Sequence, residues 1–116
     1  MPDDAVVKAS DFVLMHGNGA TTTPARITEM VRQTRALPSW HAMPIVFNED
    51  DHFDFDQPAN HFVAALRAGA SWGYFDYRMK GEGFADGYQS VPVDWGIHSA
   101  RKRTFFGLVR EITGSP

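Results

Sequence analysis

The chain has 116 residues, of which 43% are hydrophobic and 13% aromatic, so we expect one folded domain with a packed core. The formal net charge is -3 without a basic stripe, which argues against a nucleic-acid partner, and the absence of cysteine excludes disulfides, thiolate metal sites and cysteine nucleophiles. No apolar stretch approaches the roughly 20 residues that cross a bilayer, and no signal-peptide core is present, so we expect no membrane partner and leave the compartment open.

The first part of the chain predicts a strand followed by a helix. The strand spans residues 12–15 and is apolar throughout, which is typical of a strand buried on both faces of a parallel sheet. In the helix that follows, Thr23 can cap the N-terminus, Pro24 occupies the favoured first position and Pro38 ends the helix.

The rest of the chain repeats this alternation. An apolar run at residues 44–47 predicts the second strand, and a helix that opens at Pro58 follows it. Residues 71–78 predict the third strand, and Ser99 caps a last helix. This order predicts a single α/β domain over residues 1–116, with three parallel strands alternating with three helices.

Loop lengths indicate where such a domain carries its function. Loops after the predicted strands are long and polar, whereas loops after the helices are short, which favours a site at the C-terminal ends of the strands. A complete eight-fold barrel needs roughly 250 residues, so we expect a partial, half-barrel-like (β/α) arrangement. Its unpaired edge strands predict a homo-oligomer.

Two carboxylates are candidates for catalysis at this end of the sheet. Glu49 directly follows the second strand and Asp76 ends the third. Neighbouring parallel strands lie about 4.8 Å apart, so the two side chains can reach the separation at which paired carboxylates hydrolyse glycosidic bonds. The alternative is an acidic rim that only balances nearby arginines or caps a helix.

The acidic loop also invites a metal-site interpretation. His16, Glu49 and His52 could bind a transition metal, and four aspartates offer oxygen ligands: Asp50, Asp51, Asp54 and Asp56. The loop lacks the glycine and the closing glutamate of a calcium-binding loop, and the helical two-histidine pattern of zinc proteases is absent. We therefore expect no metal ion and no cofactor, and we interpret the loop as one held by aspartates that bond their own backbone.

Aromatic and polar side chains around this edge suit a sugar, because flat rings cover its apolar face and acids, amides and imidazoles bond its hydroxyls. Tyr74, Phe75 and Phe84 are expected in the core. The candidate substrate contacts are His16, Asn18, Asp51, His52, Trp72, Arg78, Gln89 and Trp95.

The segments PIVFNEDDHFDFD, ASWGYFDYR and GYQSVPVDWGI with RKRTFF resemble the C-terminal part of glycoside-hydrolase-like (β/α)8-barrel proteins of environmental bacteria and, more loosely, barrel glycosidases of the cellulase and mannanase type. The resemblance spans about residues 11–114 and corresponds to the last three βα units of such a barrel. It implies that Glu49 is the nucleophile, that Trp72 lines the sugar site and that His16 supports the nucleophile.

The family's proton donor ends the fourth strand of the barrel, which has no counterpart in this chain. The resemblance therefore implies a fragment or relic of an O-glycosyl hydrolase that acts on an oligosaccharide or polysaccharide and is weak or inactive alone. The alternative is a non-catalytic, self-associating carbohydrate-binding or structural module, so the sequence leaves open whether the chain is an enzyme.

Overall fold

The computed structural model describes residues 1–18, 23–76, 80, 81, 83, 97 and 99–115 of the chain. Within these residues the elements are α1 (Asp4–Lys8), β1 (Val13–His16), α2 (Pro24–Arg35), β2 (Ile45–Asp50), α3 (His61–Arg67), β3 (Ser71–Tyr74) and α4 (Ala100–Thr113). The strands pair in parallel in the order β1-β2-β3. The predicted fold class, an α/β domain whose three parallel strands alternate with helices in an open sheet, is confirmed for the described residues.

The strands differ from their predicted ranges mainly at their ends. β2 continues past the predicted range 44–47 to Asp50, because pairing with both neighbouring strands carries the extended backbone through polar residues. β3 ends at Tyr74, short of the predicted range 71–78, of which residues 77 and 78 lie outside the described part of the chain.

Helix α1 is an element that the sequence does not predict. The Asp3 carboxylate caps it by accepting a hydrogen bond of 2.8 Å from the Ala5 amide. Val7 is its buried residue, and Asp4 accepts bonds of 2.9 Å from the amide and the hydroxyl of Ser39. A helix of five residues is too short to show the apolar periodicity from which helices are predicted.

The helix starts show which capping signals are effective. Ser99 caps α4 as predicted, with its hydroxyl 3.2 Å from the Lys102 amide. Thr23 precedes α2 but makes no side-chain capping bond. The predicted opening at Pro58 is wrong, because the buried Asn60 side chain accepts a bond of 2.9 Å from the Val63 amide and so begins α3 at His61.

One face of the sheet packs against α2 and α3. The buried cluster on this face contains Val13, Met15, Ile45 and Phe47 from the strands, Ile27, Met30 and Val31 from α2, and Ala65 from α3. Leu14, which points to the other face, is 54% exposed. The prediction that β1 is buried on both faces is therefore wrong, because the buried and exposed residues of this strand alternate.

A second, aromatic cluster joins α4 to the end of the sheet. Its buried members are Phe55, Phe62 and Phe105, and the half-buried side chains against it are Phe53, Leu66, Trp72, Tyr74, Leu108 and Val109. The expected core position of Tyr74 agrees with this packing, Phe75 is half-buried, and Phe84 lies outside the described residues. In the part of the chain that the structure describes, no helix combines the length and apolar composition that crossing a membrane requires.

The two different N-caps lead to a stability prediction. We expect Asn60→Ala to lower the free energy of unfolding by about 1–2 kcal/mol, because it removes the cap of α3 and leaves the Gln57 carbonyl without the bond from Asn60 Nδ2. Thr23→Ala is the matched control and should cost less than about 0.5 kcal/mol. Urea denaturation of both variants checks this, and equal losses would contradict it.

Candidate functional site

The C-terminal ends of the parallel strands bring several polar side chains to one edge of the sheet. His16 at the end of β1 is the register partner of Glu49 on β2, and Asp50 is the register partner of Tyr74 on β3. The parallel order therefore places residues that are far apart in the chain beside each other, as predicted from the strand–helix alternation.

Irregular pairing at this edge gives two adjacent carboxylates opposite environments. The register shifts between Met15 and His16 on β1 and between Phe47 and Asp50 on β2. As a result Asp50 is fully buried, whereas Glu49 is 39% exposed. The sequence assigns the site carboxylate to Glu49, but the buried position at the end of the strand belongs to Asp50.

The Asp50 carboxylate is the centre of a hydrogen-bond network. Its Oδ1 accepts bonds from the ring Nδ1 of His52 at 2.6 Å and from the His52 amide at 3.1 Å. Its Oδ2 accepts bonds from Nδ1 of His61 at 2.8 Å and from the indole Nε1 of Trp72 at 2.9 Å. These four bonds tie the end of β2 to the following loop, to the start of α3 and to β3.

The network determines the state of the Asp50 carboxyl. Burial opposes its ionisation, but the hydrogen bonds from His61, Trp72 and His52 outweigh burial and lower the pKa of Asp50 below its ordinary value. An ionised carboxylate can only accept hydrogen bonds, so each histidine donates its Nδ1 proton to Asp50. The two rings are stacked, with centroids 3.8 Å apart and planes 20° apart.

Gly17 packs directly against the Asp50 side chain. Its amide donates a bond of 2.9 Å to the Glu49 carbonyl. A Cβ atom at position 17 would lie 2.0 Å from Asp50 Oδ2, which is far inside contact distance. Glycine is therefore required here by the close approach of the carboxylate.

Glu49 and His16 form the accessible part of the edge. Glu49 Oε2 lies 3.6 Å from His16 Nδ1, and the His16 side chain is 56% exposed. At this distance the two groups are near each other without a formed hydrogen bond. The carboxylate oxygen is therefore available to a ligand.

Asp76, the second predicted catalytic carboxylate, has strong structural contacts. Its Oδ1 accepts bonds of 3.1 and 3.0 Å from Nε and Nη2 of Arg101, and Lys102 Nζ lies 3.1 Å from its Oδ2. Tyr74 donates to it at 3.1 Å, and burial together with the nearby Asp76 charge raises the pKa of the Tyr74 hydroxyl. These contacts correspond to the alternative of an acidic group that balances nearby cations.

The other predicted site residues fall into three groups. Trp72 packs edge-on against Phe55 at 5.8 Å and lies 5.4 Å from Phe62 between ring centroids, so its ring belongs to the aromatic cluster. Asp51 Oδ1 is 3.6 Å from His52 Nδ1, and Asn18 is half-buried. The remaining predicted residues, Arg78, Gln89 and Trp95, lie outside the described part of the chain.

Sequence reasoning did not assign the central role to Asp50 and did not single out His61. Strict alternation from buried Phe47 points to Glu49 as the next buried residue, and only the pairing irregularity moves that position to Asp50. The sequence indicates only that His61 lies near the start of a helix, and no local pattern relates it to a carboxylate eleven residues earlier.

The lowered pKa of Asp50 predicts a pH-dependent loss of stability. In buffer with a chelator, we expect Asp50→Asn to lower the free energy of unfolding at pH 7 by about 2–4 kcal/mol, because buried donors lose their anionic partner. A lowered folded-state pKa stabilises the fold above the ordinary aspartate value of about 3.9 and ceases to do so as the pH falls through the folded-state pKa.

The difference between wild type and Asp50→Asn should therefore be largest at neutral pH and narrow below about pH 4. Urea denaturation across this range measures it. The exposed Asp56→Asn variant serves as the control and should stay within about 0.5 kcal/mol of wild type throughout. A pH-independent difference for Asp50→Asn would contradict the role of the carboxylate charge.

The close approach at Gly17 predicts opposite effects for two glycine substitutions. Gly17→Ala should cost about 1–3 kcal/mol, because the new methyl group displaces Asp50 Oδ2 from its bonds to His61 and Trp72. Gly107→Ala, on α4 with nothing within 4 Å of the added Cβ, should stabilise the chain by about 0.5–1 kcal/mol. Thermal or urea unfolding checks both, and a neutral Gly17→Ala would show that the carboxylate can move freely.

Comparisons with known proteins do not identify a relative of this chain. No protein family, no curated protein sequence and no solved structure matches the chain.

Proposed function

We propose that the C-terminal edge of the sheet is a carbohydrate site of the glycoside-hydrolase type, with Glu49 as the carboxylate that meets the anomeric carbon. The proposal is carried by the placement of Glu49 and His16 as register partners on adjacent parallel strands, with both side chains accessible. In barrel-type α/β folds, substrates bind at this end of the strands.

The chemistry of Glu49 follows from its position. An accessible carboxylate here attacks the anomeric carbon, or stabilises the oxocarbenium-like centre as the leaving group departs. Asp50 supports this role indirectly, because its hydrogen bonds to His61 and Trp72 fix the backbone of the residue that follows Glu49. On this proposal, the Asp50 carboxylate orients the C-terminal edge of the sheet and the Glu49 carboxylate contacts the substrate.

Hydrolysis of a glycosidic bond also requires a proton donor. Asp76 is enclosed by Arg101, Lys102 and Tyr74, so a leaving-group oxygen would have to displace one of these contacts to reach it. We therefore assign Asp76 to anchoring α4 at the end of β3. On this proposal, the chain supplies the nucleophile of a barrel hydrolase whose proton donor comes from elsewhere, and it is a weak catalyst alone.

A second candidate function is sugar binding without hydrolysis, by a module that self-associates. The contacts of Asp76 favour it, because they remove one of the two predicted catalytic groups. Self-association is supported by β1, an edge strand of the described sheet, on which Leu14 is exposed.

Dinitrophenyl glycosides test the proposal, because their leaving group departs without a proton donor. With a panel of these substrates and their 2-deoxy-2-fluoro analogues, the wild-type chain should release dinitrophenolate and retain one fluorosugar on Glu49, detected by mass spectrometry. Glu49→Gln should lower the rate by about 100-fold or more. Glu29→Gln, which changes a glutamate paired with Arg32 on α2, is the control and should leave the rate unchanged.

The same samples separate the two candidates. Titration with oligosaccharides, followed by tryptophan fluorescence and by light scattering, reports binding and self-association. Background rates of dinitrophenolate release for the wild type, Glu49→Gln and Glu29→Gln, together with saturable oligosaccharide binding, would favour the binding module over the hydrolase. Background rates and no binding of any sugar would show that the carbohydrate proposal is wrong.

A further inference from the structure

A cleft lies between α3 and the C-terminal half of α4. Its volume is about 430 Å³, and pockets that bind small molecules span roughly 300–1,000 Å³. Apolar side chains and two side chains of opposite charge line it. The apolar residues are Val63, Leu66, Leu108 and Ile112, and the charged residues are Arg67 and Glu111. The lining includes neither His16 nor Glu49, so the cleft is separate from the proposed carbohydrate site.

We propose that this cleft binds a small zwitterion with an aliphatic side chain, that is, a free amino acid of the leucine type. Arg67 binds the carboxylate and Glu111 binds the ammonium group, while the apolar residues of the cleft contact the aliphatic side chain. The inference is independent of the proposed carbohydrate function, because it uses other residues.

The apolar lining of the cleft is the first observation that points to a ligand. Ile112, near the end of α4, is 50% exposed. Val63, Leu66 and Leu108 are half-buried, and the two leucines pack against the aromatic cluster. The cleft therefore extends the apolar surface of that cluster towards solvent. An aliphatic group placed there would remove this surface from water, which favours binding.

The charges of the cleft are the second observation, and they indicate the class of ligand. Arg67, in the last turn of α3, and Glu111, near the end of α4, are both exposed. Within the described residues, neither side chain forms a hydrogen bond or an ion pair. Arg101, by contrast, lies 3.0 Å from Asp76. The cleft thus presents a cation and an anion that the described part of the protein does not use.

Helix α2 also leaves Arg67 without an acidic partner. Arg67 lines a smaller cleft next to α2, where the residues of that helix are Pro24, Ala25 and Thr28. None of these is acidic. Among the described residues that line the two clefts, Glu111 is therefore the only other charged one.

Charge complementarity favours a zwitterion over a ligand with one charge. A simple carboxylate would be attracted by Arg67 and repelled by Glu111, and a simple amine would meet the reverse. A zwitterion is complementary to both side chains. The guanidinium group can donate two parallel hydrogen bonds to a carboxylate, and the glutamate can accept hydrogen bonds from an ammonium group.

A ligand held in this way would connect α3 with the C-terminal half of α4. The first half of α4 is attached to the sheet through Phe105 in the aromatic cluster and through the ion pair of Arg101 with Asp76. The ligand would add contacts at the other half of the helix. Because it binds the assembled cleft, it should stabilise the folded chain.

The test titrates the full chain with leucine and with two analogues that each lack one charge, 4-methylpentanoate and 3-methylbutylamine. Calorimetry should show one saturable site for leucine, with an affinity at least about 10-fold higher than for either analogue or for glycine. Dissociation constants above about 10 mM for leucine, isoleucine, valine and methionine alike would overturn the proposal. Equal affinity for leucine and either analogue would overturn the zwitterion assignment.

Glutamine variants locate the site, because both charged side chains are exposed and can be replaced without disturbing the core. Arg67→Gln and Glu111→Gln should each weaken leucine binding at least about 10-fold. Arg110→Gln on α4 and Glu29→Gln on α2, which do not line the cleft, are the controls and should bind like wild type. Unchanged affinity in either cleft variant, or equal losses in the controls, would overturn the assignment.

The two cleft variants should also lose different preferences. Arg67→Gln should no longer prefer leucine to 3-methylbutylamine, because the carboxylate has lost its partner. Glu111→Gln should no longer prefer leucine to 4-methylpentanoate, because the ammonium group has lost its partner. A variant that keeps the preference it is expected to lose would contradict the role assigned to that side chain.

Discussion

The structure depends on one buried negative charge. The Asp50 carboxylate is excluded from solvent, and a buried ion is tolerated only when its hydrogen-bonding capacity is filled. Side-chain donors from the following loop, from α3 and from β3 fill that capacity. These segments meet at Asp50 and are held there by charge-assisted bonds, which are stronger and more directional than the apolar contacts of the core. The C-terminal edge of the sheet is thus an ordered surface built around an anion.

Adjacent positions in β2 show how irregular strand pairing gives two carboxylates different surroundings. Glu49 and Asp50 carry the same functional group, yet one is accessible beside His16 and the other is enclosed by donors. Enzymes that use two carboxylates often differentiate them through their environments. Here the difference arises from the backbone, because the shift in register turns consecutive side chains to different surroundings.

The fold was predictable where the signals are local. Apolar runs identified β1 and β2, the segment 71–78 was predicted as the third strand, and Ser99 marked the start of α4 because its hydroxyl acts within a few residues of its own position. Other features depend on contacts distant in the sequence. The extension of β2 depends on pairing with both neighbouring strands, and the exposure of Leu14 depends on which face the helices cover.

The candidate site likewise contains features that the sequence predicts and features that depend on distant contacts. The meeting of His16 and Glu49 at one edge follows from the parallel order of the strands, which the alternation of elements indicates. The hydrogen-bonded group of Asp50, His52 and His61 does not follow from any pattern, because it needs the register shift in β2 and the position of α3. The sequence interpretation considered the aspartates as oxygen ligands for hard cations. The fold instead pairs one of them, Asp50, with two imidazoles through hydrogen bonds.

The contact between Gly17 and Asp50 has an evolutionary consequence. Because no side chain fits between them, the residues at positions 17 and 50 are constrained as a pair. A lineage that gains a methyl group at position 17 must also shorten or relocate the acid at position 50. Losing that acid would remove the hydrogen bonds that the two histidines and the indole donate to it. We therefore expect homologous chains to fall into two groups, one that keeps both the glycine and the acid and one that has replaced both together with the histidines.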